Sequence, residues 1–88
     1  MVKIKKASNY NQALEDLLVE SPDLEDRISN QESLFKKNLK DTRLNSHDLT
    51  KKMIGKWAFS ITDDIRIVYK WTNKNTVRFL DIGPHNKV

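Results

Sequence analysis

The side chains best suited to chemistry in this 88-residue sequence are two histidines and several cations in its second half. The histidines are His47 and His85, and Arg66 lies between them in the sequence. An imidazole titrates near neutral pH and can act as an acid or a base. A guanidinium stabilises negative charge that develops on a phosphate. Together these groups could cleave RNA through attack by a ribose 2′-hydroxyl, a reaction that needs a base, an acid and a cation but no metal ion.

The bland alternative is that these residues are ordinary surface side chains. Arg66 and Arg78 would then be outward-facing residues of paired strands, and each histidine would be incidental. A metal site would need both histidines plus carboxylates brought together by the fold, since no HxxxH or HxH spacing occurs and cysteine is absent. A serine hydrolase is excluded because the sequence has no nucleophile elbow and so short a chain has no room for an acyl pocket.

Charge is distributed unevenly along the chain. Residues 1–34 have four basic and seven acidic side chains, a sum of −3, whereas residues 35–88 have twelve and five, a sum of +7. A basic half favours a polyanionic partner such as nucleic acid, but a solvated lysine-rich surface has the same composition.

The length predicts one domain over residues 1–88. The absence of a long apolar stretch predicts no membrane segment, and the absence of cysteine suits the cytoplasm.

Apolar periodicity predicts the elements that must position these groups. Alternation over residues 2–6 predicts a short edge strand. Apolar residues at helical spacing then predict two antiparallel helices, with Ser21 capping the second helix and Pro22 in its first turn. The apolar face of that second helix is interrupted at Gln31 and Glu32, which are predicted to form a polar gap.

After a loop predicted over residues 41–54, the period changes to two and predicts a three-stranded meander, with a tight turn at Asp63-Asp64. The helices must cover its larger apolar face, which is predicted to consist of Trp57, Phe59, Ile61, Ile65, Ile67 and Tyr69. The predicted fold is α+β in the order β-α-α-β-β-β, a two-helix hairpin packed on a small, twisted, mainly antiparallel sheet. The opposite face of the sheet would then be open, with the segment from His47 to Lys56 and the residue His85 beside it. The polar residues predicted on that face are Ser60, Arg66, Lys70 and Arg78.

Four segments of the second half resemble the RelE/ParE superfamily of toxins from bacterial type II toxin–antitoxin systems. They are His-x-Leu at 47–49, Gly-x-Trp-x-Phe-x-Ile at 55–61, Asp-Asp-x-Arg-Ile-Val-Tyr at 63–69, and Leu-x-Ile-Gly-x-His at 80–85. The resemblance implies a RelE-like fold and, as in most members, an endoribonuclease that cuts mRNA in the ribosomal A site. A ParE-like branch inhibits DNA gyrase instead, and a catalytically silent binding domain of the same fold is the third alternative.

The resemblance also implies roles for individual residues. Arg66 stands at the position of an arginine that stabilises the cleaved phosphate, and His85 at that of a histidine general acid. His47 matches a histidine or glutamate that serves as base, and Asp64 matches an aspartate of the YafQ-like toxins. YafQ-like toxins have a further histidine near Ser60, which serine cannot replace as a titrating group. The predicted RNA-binding residues are Lys51, Lys52, Lys56, Lys70 and Arg78.

The mechanism implied in this way uses no metal and no other cofactor. His47, or Asp64 if His47 points away, takes the 2′-hydroxyl proton. Arg66 and a lysine hold the scissile phosphate while His85 protonates the 5′-oxygen, and a 2′,3′-cyclic phosphate results. The implied partners are mRNA on the 70S ribosome and a cognate antitoxin, usually acidic, that wraps the toxin. The implied location is the bacterial cytoplasm, away from any membrane.

Overall fold

The computed structural model describes residues 2–49 and 55–84, which form two α-helices, one 3₁₀ turn and five strands. The elements are, in chain order, β1 (Lys3–Lys6), α1 (Ser8–Glu20), α2 (Leu24–Lys37), the 3₁₀ turn (Thr42–Leu44), β2 (His47–Asp48), β3 (Trp57–Ser60), β4 (Ile65–Asn73) and β5 (Thr76–Pro84). No helix within these ranges is both long enough and apolar enough to span a bilayer.

The strands form one mixed sheet in the order β1-β5-β4-β3-β2. Strand β1 lies at an edge, as predicted, and runs parallel to β5, whereas the other neighbouring strands are antiparallel. The predicted α+β class and the two-helix hairpin on a mainly antiparallel sheet are confirmed, and the predicted order of elements holds except for one additional short strand, β2. The loop predicted over 41–54 is wrong at His47–Asp48, which pairs with β3. A strand of two residues is too short to show any period in a sequence.

The connection between the helices is a turn that precedes α2. The second helix begins at Leu24, so Ser21 and Pro22 lie before it and the predicted cap at Ser21 is wrong. The carbonyl oxygens of Ser21 and Pro22 accept hydrogen bonds from the amides of Leu24 and Glu25, at 3.0 and 3.3 Å. Each of these bonds spans three residues, so the chain makes tight turns here instead of a regular helical turn.

An aromatic cluster forms the centre of the core between the helices and the sheet. Phe35 of α2 is fully buried, stacks on Phe59 with ring centroids 4.6 Å apart, and meets Tyr69 and Phe79 edge-on. Burial raises the pKa of both Tyr69 and Tyr10 above the ordinary value of a phenol. The strand residues predicted to face the helices do belong to this core, namely Trp57, Phe59, Ile61, Ile65, Ile67 and Tyr69.

Strict alternation fails in β5, where Leu80 is an extra residue. Val68 pairs with Asp81 and the next residue, Tyr69, pairs with Phe79, which leaves Leu80 as a bulge. Ile82 therefore joins the helix-side core, although alternation predicts it on the opposite face. The opposite face has a small apolar cluster of its own, formed by Leu49, Ala58, Val68 and Leu80.

Candidate functional site

A small cleft lies at the end of the sheet where β4 begins. Its volume is about 270 Å³. One wall comes from Asn45 and from His47 at the start of β2, and the other comes from the end of β3, the turn into β4 and the first residues of β4. The cleft brings together three of the four residues predicted to be catalytic. Its polar lining includes Asn45, His47, Ser60, Thr62, Asp64 and Arg66.

The Arg66 guanidinium and the His47 imidazole are in direct contact. Arg66 Nη1 lies 3.0 Å from His47 Nε2, and His47 Nδ1 lies 3.0 Å from the carbonyl oxygen of Asn45. A carbonyl oxygen can only accept, so the hydrogen of the neutral ring is on Nδ1. Nε2 then accepts a hydrogen bond from Arg66. The lone pair with which His47 could take a proton therefore points at the guanidinium.

Arg66 belongs to the inner strand β4 and is only 8% exposed. Its Cα is paired with that of Ser60 on one side and that of Gly83 on the other, so neighbouring strands fix its backbone. A charged group this buried is stable only when polar partners surround it. The guanidinium is thus carried by a rigid part of the fold and reaches a polar cleft, an arrangement suited to binding an anion.

Gln31 of α2 joins the two walls of the cleft from the core side. Its Nε2 donates hydrogen bonds to the carbonyl oxygens of Ser60 and Arg43, at 2.9 and 3.3 Å. Ser60 leads into one wall, and Arg43 belongs to the 3₁₀ turn that precedes His47 in the other. The predicted polar gap is therefore wrong at Gln31, which is buried. Gln31 lies three residues after Ile28, within an apolar helical face. This position was the sequence signal that could have predicted its burial.

The turn between β3 and β4 is held by its own hydrogen bonds and by α2. Thr62 Oγ1 accepts from the amides of Asp64 and Ile65, at 3.2 and 3.0 Å. Arg27 Nε donates to the carbonyl oxygen of Ile61 at 2.8 Å. The turn predicted at Asp63-Asp64 is confirmed. The exposed Asp64 therefore occupies a fixed place on the wall opposite His47.

Asp41 caps the 3₁₀ turn that leads to His47. One carboxylate oxygen accepts from the Arg43 amide at 2.9 Å and from Arg43 Nε at 3.0 Å, and the other accepts from Nη2 at 2.9 Å. These side-chain and backbone hydrogen bonds lower the pKa of Asp41 to about 2. The turn is anchored by the fully buried Leu44 and ends at Asn45, which is in the left-handed conformation with φ 49°. The backbone thereby reverses and presents the Asn45 carbonyl to His47.

No family model and no curated protein matches this sequence, but solved structures match its fold. A chain of the Escherichia coli DinJ–YafQ complex has a TM-score of 0.81 at 16% identity, over 100% of this chain and 98% of that one. A copper-bound mutant toxin from Helicobacter pylori has a TM-score of 0.78 at 22% identity, over 100% and 99%. The YoeB/ParE toxin from Agrobacterium tumefaciens has a TM-score of 0.76 at 16% identity, over 96% and 99%.

The chain has the fold of the RelE/ParE-superfamily toxins. The RelE-like fold expected from the four sequence segments is thereby confirmed. The likeness at these identities concerns the fold, so the chemistry of the cleft must be argued from its own residues. In residues 2–49 and 55–84, no three side chains of the metal-binding types His, Cys, Asp and Glu come together.

Three further predicted site residues that the structure describes, Lys56, Lys70 and Arg78, do not line the cleft of this RelE/ParE fold. Lys70 and Arg78 are exposed and directly opposite each other on β4 and β5. They share with Arg66 the sheet face that points away from the helices, and Lys70 is four residues, roughly 13 Å, along β4 from it. Two cations placed opposite each other repel, so this pair favours an anionic partner. Lys56 is half-buried, and its carbonyl oxygen accepts from the Leu49 amide at 2.8 Å. Three predicted residues lie outside the described ranges: Lys51, Lys52 and His85.

The ionised Asp41 cap stabilises the folded protein, and we expect this stabilisation to be lost in acid. The pKa of Asp41 falls from 3.8 to about 2 on folding. Its contribution to the free energy of unfolding is therefore complete above pH 3.8 and is lost as the pH falls through 2. Asp41→Asn should therefore lower the melting temperature at about pH 6, and its difference from wild type should shrink towards about pH 2. Thermal unfolding across this range measures the effect. Asp26→Asn, which also replaces an aspartate by asparagine, is the control. If Asp41→Asn lowers the melting temperature by the same amount at about pH 6 and about pH 2, the lowered pKa of Asp41 is contradicted.

Proposed function

We propose that the chain is the toxin of a type II toxin–antitoxin pair and cleaves mRNA on the ribosome through a metal-independent 2′-hydroxyl attack. The observation that carries the proposal is the 3.0 Å contact between His47 and Arg66 in the cleft, which puts a base beside a phosphate-binding cation. The RelE/ParE fold and the basic second half of the chain support it. Residues 1–88 would act as one toxin domain in the bacterial cytoplasm.

Binding of the substrate rearranges the contact between Arg66 and His47. A phosphate is a stronger acceptor for a guanidinium than a neutral imidazole is, so Arg66 turns to the scissile phosphate. This frees His47 Nε2 to accept the proton of the 2′-hydroxyl. Throughout, Nδ1–H stays on the carbonyl oxygen of Asn45, which fixes the ring and stabilises the imidazolium that forms.

The proposed reaction then has the following bond changes. The deprotonated 2′-oxygen attacks phosphorus, the bond from phosphorus to the 5′-oxygen breaks, and a 2′,3′-cyclic phosphate forms. Arg66 binds the phosphate oxygens on which negative charge accumulates. The proton for the 5′-oxygen comes, in the proposal, from His85, the general acid that the family resemblance implies.

The direct test is cleavage of a defined mRNA on purified ribosomes, with the ends mapped by primer extension. We expect cuts that require the ribosome and leave 2′,3′-cyclic phosphate ends. A supercoiling assay with DNA gyrase is run in parallel. Inhibition of gyrase without mRNA cleavage would replace the proposal with a ParE-like function, and neither activity would indicate a catalytically silent binding domain.

His47→Ala should lower the rate of cleavage at saturating ribosome concentration about 10²–10⁴-fold, because it removes the proposed general base. Asp64→Asn should have a smaller effect, since Asp64 lies on the opposite wall and its carboxylate is exposed. Single-turnover cleavage of the same mRNA compares the two variants. A large loss in Asp64→Asn with little change in His47→Ala would transfer the role of base to Asp64.

A cognate antitoxin is the second part of the proposal. A solved relative, YafQ, is in a toxin–antitoxin complex with DinJ. The sum of +7 over residues 35–88 favours an acidic partner that covers the basic face. We expect a small acidic reading frame next to the gene, and its product expressed together with the chain should yield a complex that purifies as one species. If that frame encodes a protein that does not bind the chain, this part of the proposal fails.

A further inference from the structure

A second basic surface surrounds Trp71, away from the cleft. Trp71 is 37% exposed and is one of two large hydrophobic side chains that are exposed among the described residues. Trp71 lines two grooves, of about 480 Å³ and about 580 Å³. Trp71 is five residues, roughly 17 Å, along β4 from Arg66, and alternation puts the two side chains on opposite faces. The smaller groove therefore shares no residue with the candidate catalytic cleft, whereas the larger groove shares Asn45 with it.

The smaller groove is strongly basic. Four lysines line it, Lys36, Lys37, Lys40 and Lys74, and its described lining contains no acidic residue. All four are exposed, and none takes part in an ion pair with the residues that the structure describes. Lysines in the last turn of a helix are explained by the helix dipole, which accounts for Lys36 and Lys37. That explanation does not extend to Lys40 and Lys74, which lie on two different connections.

We propose that this surface binds single-stranded RNA, with an unpaired base stacked on Trp71 and the backbone phosphates on the surrounding lysines. The proposal deepens the nuclease function by adding a second contact to RNA, and it rests on that function for the choice of RNA. A flat aromatic ring beside unpaired ammonium groups is the combination with which single strands are bound irrespective of sequence. The bulge at Thr72, where Trp71 pairs with Val77 and Asn73 with Thr76, turns the strand end that carries the ring.

The chain has two tryptophans, so Trp57→Phe leaves Trp71 as the single tryptophan, which is excited at a wavelength where the two tyrosines do not absorb. The probe is a short 2′-O-methyl oligouridine, which cannot be cleaved through its 2′-oxygen, so the result does not depend on nuclease activity. We expect saturable quenching of Trp71 emission. An abasic oligomer of the same length should bind more weakly and quench little. Equal binding of both oligomers without quenching would mean attraction by charge alone and would overturn the proposal.

Variants of the surface separate stacking from charge. Trp71→Leu should weaken oligouridine binding, followed by anisotropy of a labelled probe, about 5–150-fold, whereas Trp71→Phe should retain part of the affinity. Lys74→Gln should reduce the slope of log affinity against log salt by about 0.7. Lys5→Gln, which removes an exposed lysine from edge strand β1, should leave the quenching curve unchanged. If oligoglutamate saturates the surface and oligouridine does not, the partner is an acidic protein and the proposal is wrong.

Discussion

Arg66→Ala should abolish most ribosome-dependent cleavage, with a loss of about 10²–10⁴-fold in the rate at saturation. The reason is that negative charge grows on the phosphate oxygens in the transition state, and Arg66 is the cation that the fold holds in the cleft. The side chain is only 8% exposed, so water cannot substitute fully for the missing guanidinium. Expression of this variant should also no longer arrest growth.

Two further variants give this prediction its controls. Arg66→Lys keeps the positive charge but loses the planar fork that binds two phosphate oxygens, so it should recover only part of the rate. Lys70→Ala removes a cation from the same strand and the same face, where the side chain is exposed. It should raise the ribosome concentration needed for half-maximal rate and leave the saturated rate nearly unchanged. Undiminished cleavage by a folded Arg66→Ala protein would remove Arg66 from the mechanism.

The periodicity of apolar residues in the sequence predicted those helices and strands that bury one face in the core. Phe59, Ile67 and Tyr69 face the helices as alternation predicts, because a shift of one residue would turn each strand's apolar set towards water. The two helices follow from apolar residues at a period near 3.6 in the same way. These signals are repeated many times over a short stretch, so single polar exceptions do not mask them.

The contact that defines the candidate site depends instead on strand register. His47 reaches Arg66 because β2 pairs His47 with Ala58, while β3 pairs Ser60 with Arg66 two residues further along. No periodicity encodes a pairing made by a two-residue strand. The resemblance to RelE/ParE toxins indicated both residues, but the direct hydrogen bond and its tautomer required coordinates. The bulge at Leu80 escaped prediction for a related reason, since one inserted residue changes the facing of all that follow.

Gln31→Leu should lower the free energy of unfolding by about 1–3 kcal/mol, even though leucine is more apolar and suits a helix. The substitution removes the amide that donates to the carbonyl oxygens of Ser60 and Arg43 and leaves both without that donor. For a domain whose total stability is about 5–15 kcal/mol, this is a substantial loss. Urea unfolding followed by circular dichroism measures it.

The neighbouring Glu32 offers a matched control, because it belongs to the same predicted polar gap. It forms an ion pair with Lys6 at 2.9 Å in which both side chains are partly exposed. Glu32→Gln should therefore change the free energy of unfolding by no more than about 1 kcal/mol. Equal losses in Gln31→Leu and Glu32→Gln would mean that the buried hydrogen bonds of Gln31 contribute nothing special to stability.

The same pair of variants tests whether Gln31 also positions the cleft. Its two hydrogen bonds fix the 3₁₀ turn that leads to His47 relative to the end of β3, whose Ser60 is paired with Arg66. A displacement of about 1 Å at a reacting group can cost about 10²-fold in rate. Gln31→Leu should thus slow cleavage at a temperature where the variant is still fully folded, and Glu32→Gln should not. A loss of stability with an unchanged cleavage rate would confine Gln31 to the core, because the walls of the cleft would then keep their spacing without it.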